Sequence, residues 1–163
     1  MRYKITAPYQ INTSIHLPAS KSISNRALVI SAMAHDASGE TLILPSNLSN
    51  CDDTEVIVNA LKDMPEIIDI KAAGTAMRFM TAYLSLKAGE THTLTGTERM
   101  QHRPIKILVD GLRKLGANIE YVKEEGYPPL RIRGERLKGG KLEIPGNVSS
   151  QYISALLMVG PMV

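Results

Sequence analysis

The apolar and polar positions of this chain follow two periods, and the period changes along the sequence. Residues 1–17 alternate, which predicts one or two strands in YKITA (3–7) and TSIHL (13–17). Pro18 ends the second strand, because proline has no N–H to donate to a sheet. From about Ser20 to Ala34 the sequence is apolar on nearly every face, which predicts a helix. The chain therefore begins as strand followed by helix.

The same patterns, with turn residues as boundaries, predict the remaining elements. Strands are predicted at GETLILPS, THTLTG, NIEYV, LRIRG and KLEIPG. Helices are predicted in NCDDTEVIVNALKDM, GTAMRFMTAYLSL, RPIKILVDGLRKLG and SSQYISALLMVGPMV. Asp52 or Asp53 suits the cap of the first of these helices. Pro104 suits the first turn of the third helix, and Gly116 suits the position just after its end.

Three of the predicted helices share one design. Those starting at Ser20, Gly74 and Ser149 open with small or hydroxyl residues and continue as bodies that are apolar on nearly every face. Helices that are apolar all round are buried. The pattern therefore predicts an α/β fold with helices packed inward and sheet outside them. The last apolar run reaches Val163 without a polar cap, which favours the front part of a longer protein.

Composition narrows the classes of partner. The 163 residues are 44% hydrophobic, enough for a packed core. No segment resembles a secretory signal or a membrane span, and the single Cys51 closes no internal disulfide, so we expect a cytoplasmic protein with no membrane partner. The four histidines show no metal-ligand spacing, and we predict no metal site. The net charge of +3 is spread among acidic residues, which fits small anionic ligands.

The start of the first helix carries groups suited to anions. A helix N-terminus presents unpaired N–H groups and the positive end of the helix dipole. Ser22 and Arg26 are four residues apart and share a face, with Lys21 at the mouth. A lysine supplies a point charge and an arginine a planar fork. The alternative is that Ser20 or Ser22 only caps the helix and both cations are solvated, but a charge inside an apolar run favours a ligand.

Two further helix starts have the same character. At the second, Gly74 allows close approach of a ligand to the backbone, with Thr75 beside it; the alternative is a glycine needed only for the turn. Arg103 precedes Pro104 and is biased to extended geometry, from which it can reach over a helix start.

At the third helix start, Ser149, Ser150 and Gln151 offer two hydroxyls and an amide in a row. The alternative there is capping, which needs only one of the two serines.

Together, five motifs resemble one family in order and rough spacing: LPASKSISNRAL, DDT, AGTAMR, RMQHRPI and SSQYISALLM. The family is 5-enolpyruvylshikimate-3-phosphate synthase, and the resemblance covers essentially all of residues 1–163. It implies repeated βαβαββ units in two lobes, of which this chain would hold about two units and the start of a third, the N-terminal lobe only. It also implies transfer of an enolpyruvyl group from phosphoenolpyruvate to the 5-hydroxyl of shikimate 3-phosphate, without a cofactor.

The resemblance implies roles for eight residues. Those expected to bind shikimate 3-phosphate are Lys21, Ser22, Arg26, Ser149, Ser150 and Gln151. Those expected to bind phosphoenolpyruvate are Lys21, Gly74, Arg103 and Gln151. Lys21 would contact both substrates and is the candidate for stabilising charge or moving a proton during the reaction.

The chain also departs from the family pattern. Ala72 stands where the family commonly has Asn, and Phe79 where it has Pro, so sensitivity to glyphosate is not implied. The stretch between DDT and AGTAMR is short, which indicates a trimmed strand or loop. A second lobe would supply the proton acceptor, so we expect no turnover by these residues alone. The resemblance also implies that the intact enzyme is monomeric.

Two alternatives remain open on the sequence. The related transferase that acts on UDP-N-acetylglucosamine usually has a reactive cysteine near the position of RMQHRPI, where this chain has none. A non-catalytic anion-binding or nucleic-acid-binding module would bind with steep salt dependence. The aromatic content of 4% and the lack of a basic stripe argue against nucleic acid.

Overall fold

The computed structural model describes residues 2–163, which form a mixed α/β structure. The helices are α1 (Lys21–Ser38), α2 (Asp52–Asp63), α3 (Gly74–Leu84), α4 (Glu98–Gln101), α5 (Lys106–Lys114) and α6 (Ser150–Val159), followed by a 3-10 turn at Gly160–Met162. The strands are β1 (Ile67–Asp69), β2 (Thr91–Thr95), β3 (Asn118–Tyr121) and β4 (Leu130–Arg133). No helix in this range is long and apolar enough to cross a membrane.

The four strands form one sheet in the order β1-β2-β4-β3. β1 and β2 are parallel, because α3 carries the chain back between them, and the other two pairs are antiparallel. Buried Leu94 lies opposite Ile68 on one side and Leu130 on the other, so one face of the sheet is apolar. The chain order β1-α3-β2-α5-β3-β4, with short α4 inserted, is one βαβαββ unit. This confirms the predicted fold class.

α3 is the centre of the core. All eleven of its residues are buried, as predicted for a helix that is apolar all round. It packs against β2 and β4 and also against α1, α2 and α6. The same prediction is wrong for α1 and α6, which bury only one face each. Ile23 of α1 and Leu157 of α6 are exposed, because no described element covers the outer sides of these helices.

Four predicted strands are absent from the described residues: YKITA, TSIHL, GETLILPS and KLEIPG have no strand pairing. Their alternating patterns are real, but a strand forms only where a neighbour accepts its backbone hydrogen bonds. The three-residue β1 escaped prediction because it is too short to show a period.

The helix ends agree with the sequence signals in part. Ser20 caps α1 by accepting a hydrogen bond from the Ile23 N–H. Gly116 follows the end of α5 with a φ of +100°, as predicted. The predicted capping of α2 by Asp52 or Asp53 is wrong, because Cys51 is the N-cap residue. Both carboxylates lie in the first turn, where their negative charge interacts favourably with the positive end of the helix dipole. Pro104 precedes the N-cap of α5 instead of occupying its first turn.

Candidate functional site

The starts of α1, α3 and α6 lie together at one end of the molecule. In the first turns, Gln151 of α6 donates its Nε2 to Thr75 Oγ1 of α3 over 3.1 Å. In the second turns, Arg26 of α1 donates to Ser154 Oγ of α6 over 3.0 Å. The same guanidinium lies 5.3 Å from the centre of the Phe79 ring of α3. The fold therefore brings the three helix starts predicted from sequence into one region.

Arg26 is half-buried and bonded to neutral groups. Besides Ser154, it donates to the carbonyl oxygen of Ser22, its neighbour one turn earlier, over 2.9 Å. Of the alternative considered above, the Ser20 cap and the exposed Lys21 are present, whereas Arg26 is only partly exposed and is bonded to protein. No carboxylate in the described chain pairs with it. Its positive charge remains available to an anion at the exposed Ser22 end of the helix.

Lys21 lies at the mouth of α1 and reaches toward α2. Its Nζ is 3.5 Å from Asp53 Oδ2, and half of the lysine side chain is exposed. Such exposed ion pairs contribute little stability, so a more highly charged ligand is able to compete for the lysine. Asp53 also lines a cavity of about 340 Å³ with Ala72 and Ala73, the residues that precede Gly74. Lys21 thus pairs with a residue on the wall of a cavity that adjoins the start of α3.

Arg103 covers the start of α3. A Cβ atom placed on Gly74 would clash with Nη1 of Arg103, so the guanidinium can keep this position only over a glycine. Ala73, the residue at the N-cap of α3, provides no side-chain cap for the first N–H groups. The positive helix end and the guanidinium therefore stand side by side, an arrangement that an anion stabilises.

A cavity of about 430 Å³ adjoins this pair. Its lining residues are Ala72, Thr97, Arg99, Met100 and Arg103. The volume lies in the range of small-molecule sites. Neither arginine has a carboxylate partner within residues 2–163. The cavity is therefore suited to a small molecule with more than one negative charge.

At the start of α6, one serine hydroxyl caps the helix and the next is exposed to solvent. Ser149 is the N-cap residue and accepts a hydrogen bond from the Gln151 N–H over 3.3 Å. Ser150 is the first helical residue; it is exposed, and its hydroxyl has no partner among the described residues. One serine therefore suffices for the cap, and the other hydroxyl is free for a ligand. Within residues 2–163, no group of acidic, histidine or cysteine side chains is arranged to hold a metal ion.

Comparison with known proteins gives the family. The model of the EPSP synthase (3-phosphoshikimate 1-carboxyvinyltransferase) family matches residues 5–68 and 62–163. The chain belongs to the EPSP synthase family. The 3-phosphoshikimate 1-carboxyvinyltransferase of Bacteroides fragilis is 63% identical over all 163 residues. That of a Sulfurovum species is 43% identical over 178 aligned positions, which cover 93% of this chain.

A solved structure agrees with the fold. EPSP synthase from Acinetobacter baumannii superimposes with a TM-score of 0.74 at 24% identity, covering 90% of this chain and 38% of that one. The chain also spans 38% of the length of the Bacteroides fragilis relative. The match to these EPSP synthases thus covers nearly all of this chain but less than half of the length of each relative.

Two residues of this EPSP synthase family member escaped the sequence analysis. Arg99 is the first, and it lines the cavity with Arg103. Two arginines four residues apart in RMQHR were the available signal.

Arg78 is the second missed residue and is buried beneath the start of α3. It donates to the Gly74 carbonyl oxygen over 3.0 Å and to the Pro104 carbonyl oxygen over 3.2 Å. Burial lowers its pKa, but an arginine still keeps its charge. The signal was a charge inside an apolar run, the argument applied to Arg26 alone.

Proposed function

We propose that this chain forms the N-terminal portion of an EPSP synthase. The whole protein would transfer the enolpyruvyl group of phosphoenolpyruvate to the 5-hydroxyl of shikimate 3-phosphate and release phosphate. The observation that carries the proposal is the Arg103 guanidinium stacked on Gly74 at an uncapped helix start, within the same region as the half-buried Arg26. Each substrate carries a phosphate and a carboxylate, and this region concentrates positive charge where both must bind.

Shikimate 3-phosphate is assigned to the starts of α1 and α6. The proposed contacts are Lys21, Ser22, Arg26, Ser149, Ser150 and Gln151. The exposed Ser150 hydroxyl and the dipole of α6 support a phosphate at that helix start. Arg26, which bridges the two helices through Ser154, supplies the opposing charge.

Phosphoenolpyruvate is assigned to the cavity beside α3. Lys21, Gly74, Arg103 and Gln151 are the proposed contacts, and Arg99 on the cavity wall is a further one. Two arginine forks match the two anionic groups of this substrate. Gln151 is bonded to Thr75, the residue after Gly74, and follows Ser150 directly, which supports a place between the two substrates.

Lys21 is the proposed catalytic residue. The reaction forms a bond from the 5-hydroxyl oxygen to C2 of phosphoenolpyruvate while C3 gains a proton; the hydroxyl proton must be removed. Loss of phosphate and of a C3 proton then restores the double bond. As the 5-hydroxyl loses its proton, negative charge develops on its oxygen, where a lysine ammonium exposed at the mouth would stabilise it, or would pass a proton to C3. Asp53 releases Lys21 to the ligands as they bind.

The experiment is an NMR titration of isotope-labelled protein with shikimate 3-phosphate at low and moderate salt. We expect saturable shifts at Lys21, Arg26 and residues 149–151, and none with UDP-N-acetylglucosamine. Arg26→Gln is expected to weaken binding by at least about tenfold, since it removes a charge-assisted contact. Arg113→Gln is the matched control, because it changes the net charge equally and Arg113 of α5 donates instead to the Ile119 carbonyl oxygen of β3.

Three results would contradict the proposal. Equal weakening by the two variants would indicate long-range charge alone. Equal response to both ligands would indicate a non-specific anion-binding module, and an absence of shifts with shikimate 3-phosphate would remove the substrate assignment.

A further inference from the structure

Tyr152 connects two parts of the site that lie far apart in sequence. It follows Gln151 in α6, yet its hydroxyl donates to the carbonyl oxygen of Pro104 over 2.6 Å. Pro104 is the residue directly after Arg103. The Tyr152 side chain is almost completely buried, with 7% of the residue exposed. A buried hydroxyl bonded to a loop carbonyl fixes that loop against the helix that carries it.

The same carbonyl oxygen has a second buried donor. Arg78 of α3 donates to it over 3.2 Å and also holds the carbonyl oxygen of Gly74 over 3.0 Å. The Arg78 guanidinium carbon lies 5.8 Å from the centre of the Tyr152 ring. One carbonyl thus receives a hydrogen bond from α3 and another from α6, and the two donors are stacked on each other.

This arrangement acts on the position of Arg103. On one side its N–H donates to the Met100 carbonyl over 3.0 Å; on the other side the Pro104 carbonyl is held by Tyr152. Proline fixes the intervening φ, so few backbone rotations remain between these two bonds. The guanidinium occupies the space that a side chain at Gly74 would take.

We propose that Tyr152 is a positioning residue: its hydroxyl holds the Arg103–Pro104 turn so that Arg103 lies over Gly74, and it ties that anion site to the start of α6. This role rests on the proposed function only for the identity of the ligand. A phenylalanine at this position would fill the same space but leave the turn to Arg78 alone. The hydroxyl, and not the ring, is therefore the group to test.

Tyr152→Phe is compared with Tyr121→Phe, a matched control that also removes one buried hydroxyl. The Tyr121 hydroxyl has no hydrogen-bond partner in the described chain. The first readout is NMR amide hydrogen exchange at Arg103 without ligand, with the amides of buried α3 as the reference for global stability. We expect faster exchange at Arg103 in Tyr152→Phe alone, with α3 unchanged in both variants.

The second readout separates positioning from a merely structural role. We expect the Kd for phosphoenolpyruvate to rise roughly fivefold in Tyr152→Phe, as for loss of one net hydrogen bond, while the Kd for shikimate 3-phosphate changes by less than about twofold. The proposal is overturned if Arg103 exchanges as in wild type, if Tyr121→Phe behaves alike, or if both ligands weaken equally. If wild type binds no phosphoenolpyruvate, the proposed function fails, and Arg103 exchange alone decides the positioning role.

Discussion

Gly74 shows how one missing side chain shapes the site. It is the first residue of α3, and a Cβ there would clash with Nη1 of Arg103 and lie 3.0 Å from Cζ. These atoms end a flexible side chain, so Gly74→Ala should fold and displace the guanidinium. We expect phosphoenolpyruvate to bind roughly tenfold more weakly, because one charge-assisted hydrogen bond is lost, with shikimate 3-phosphate unaffected. Isothermal titration calorimetry with each ligand measures this.

Gly111→Ala is the control for adding a methyl group to a helix. A Cβ at Gly111 of α5 would meet Leu142 at 3.5 Å and Leu156 at 3.7 Å, which are ordinary contacts. Alanine is also a better helix residue than glycine by about 1 kcal/mol. Gly111→Ala should therefore stabilise the protein and leave both affinities unchanged. Wild-type affinity for phosphoenolpyruvate in Gly74→Ala would show that Arg103 does not bind it.

Sequence reasoning found Gly74 and Arg103 separately but not their contact. Each residue type suits an anion, and each lies beside a predicted helix start, so local rules were sufficient to select them. Their approach depends on how α3 packs against the turn before α5, which no local rule encodes. Arg78 was missed for a different reason: its charge inside an apolar run was visible, but its partners are backbone carbonyl groups, which the pattern of side chains does not identify.

A polar cluster joins the far ends of α1 and α3, and of its members only Tyr83 is buried. Asp36 of α1 accepts from the Tyr83 hydroxyl and from Lys87 Nζ, each over 2.9 Å. Burial first, and then the Asp36 carboxylate, raise the pKa of Tyr83 above its ordinary 10.0. Burial disfavours the charge of Lys87, but Asp36 and Glu90 outweigh it and raise that pKa above 10.5. Both groups therefore hold their protons more tightly in the folded protein.

The raised pKa values of Tyr83 and Lys87 predict that the protein loses stability at alkaline pH. The contribution of a group with a raised folded pKa is complete below its unfolded pKa and is lost as the pH rises through the folded value. The free energy of unfolding should fall from pH 8 to pH 10.5, and Tyr83→Phe should reduce that fall. Urea denaturation at the two pH values measures it. Tyr127→Phe is the control, since its hydroxyl has no carboxylate partner in the described chain; an undiminished fall in Tyr83→Phe would contradict the assignment.

Helices were predicted better than strands, and the cause is physical. Every helix of eight residues or more coincides with a predicted one, because its hydrogen bonds close within the segment and its caps are local. A strand needs a neighbour. THTLTG, NIEYV and LRIRG pair with one another or with β1, whereas KLEIPG has an equally good pattern and no partner within residues 2–163.

The periodicity of the sequence does not determine the order of the strands in the sheet. Alternation of strands and buried helices was visible in the chain, and the βαβαββ order followed only from the resemblance. The arrangement β1-β2-β4-β3 is set by pairings between residues far apart, such as Thr91 with Arg133. The core that these pairings create was foreseen only at α3, where the sequence is apolar all round.

Residues 2–17 leave the largest set of apolar side chains in solvent. Their odd positions are mostly apolar and their even positions mostly polar, so an extended chain presents one apolar face. The exposed large side chains of that face include Ile5, Tyr9, Ile11, Ile15 and Leu17. No strand in the described residues pairs with this segment. An extended segment with an exposed apolar face is a template for association.

We therefore expect the chain to self-associate through this face as its concentration rises. Sedimentation equilibrium should show an average mass above 17.8 kDa that returns to the monomer value on dilution. Ile5→Thr combined with Ile11→Thr keeps β-branched side chains but removes apolar surface from residues 92% and 76% exposed, so it should lower the association constant. Thr6→Ser with Thr13→Ser changes two other residues of the same segment as a control.

Equal association of both double variants would contradict this assignment and place the contact elsewhere. The exposed faces of α1 and α6 would then be the candidates, and Ile23→Thr and Leu157→Thr the changes that test them.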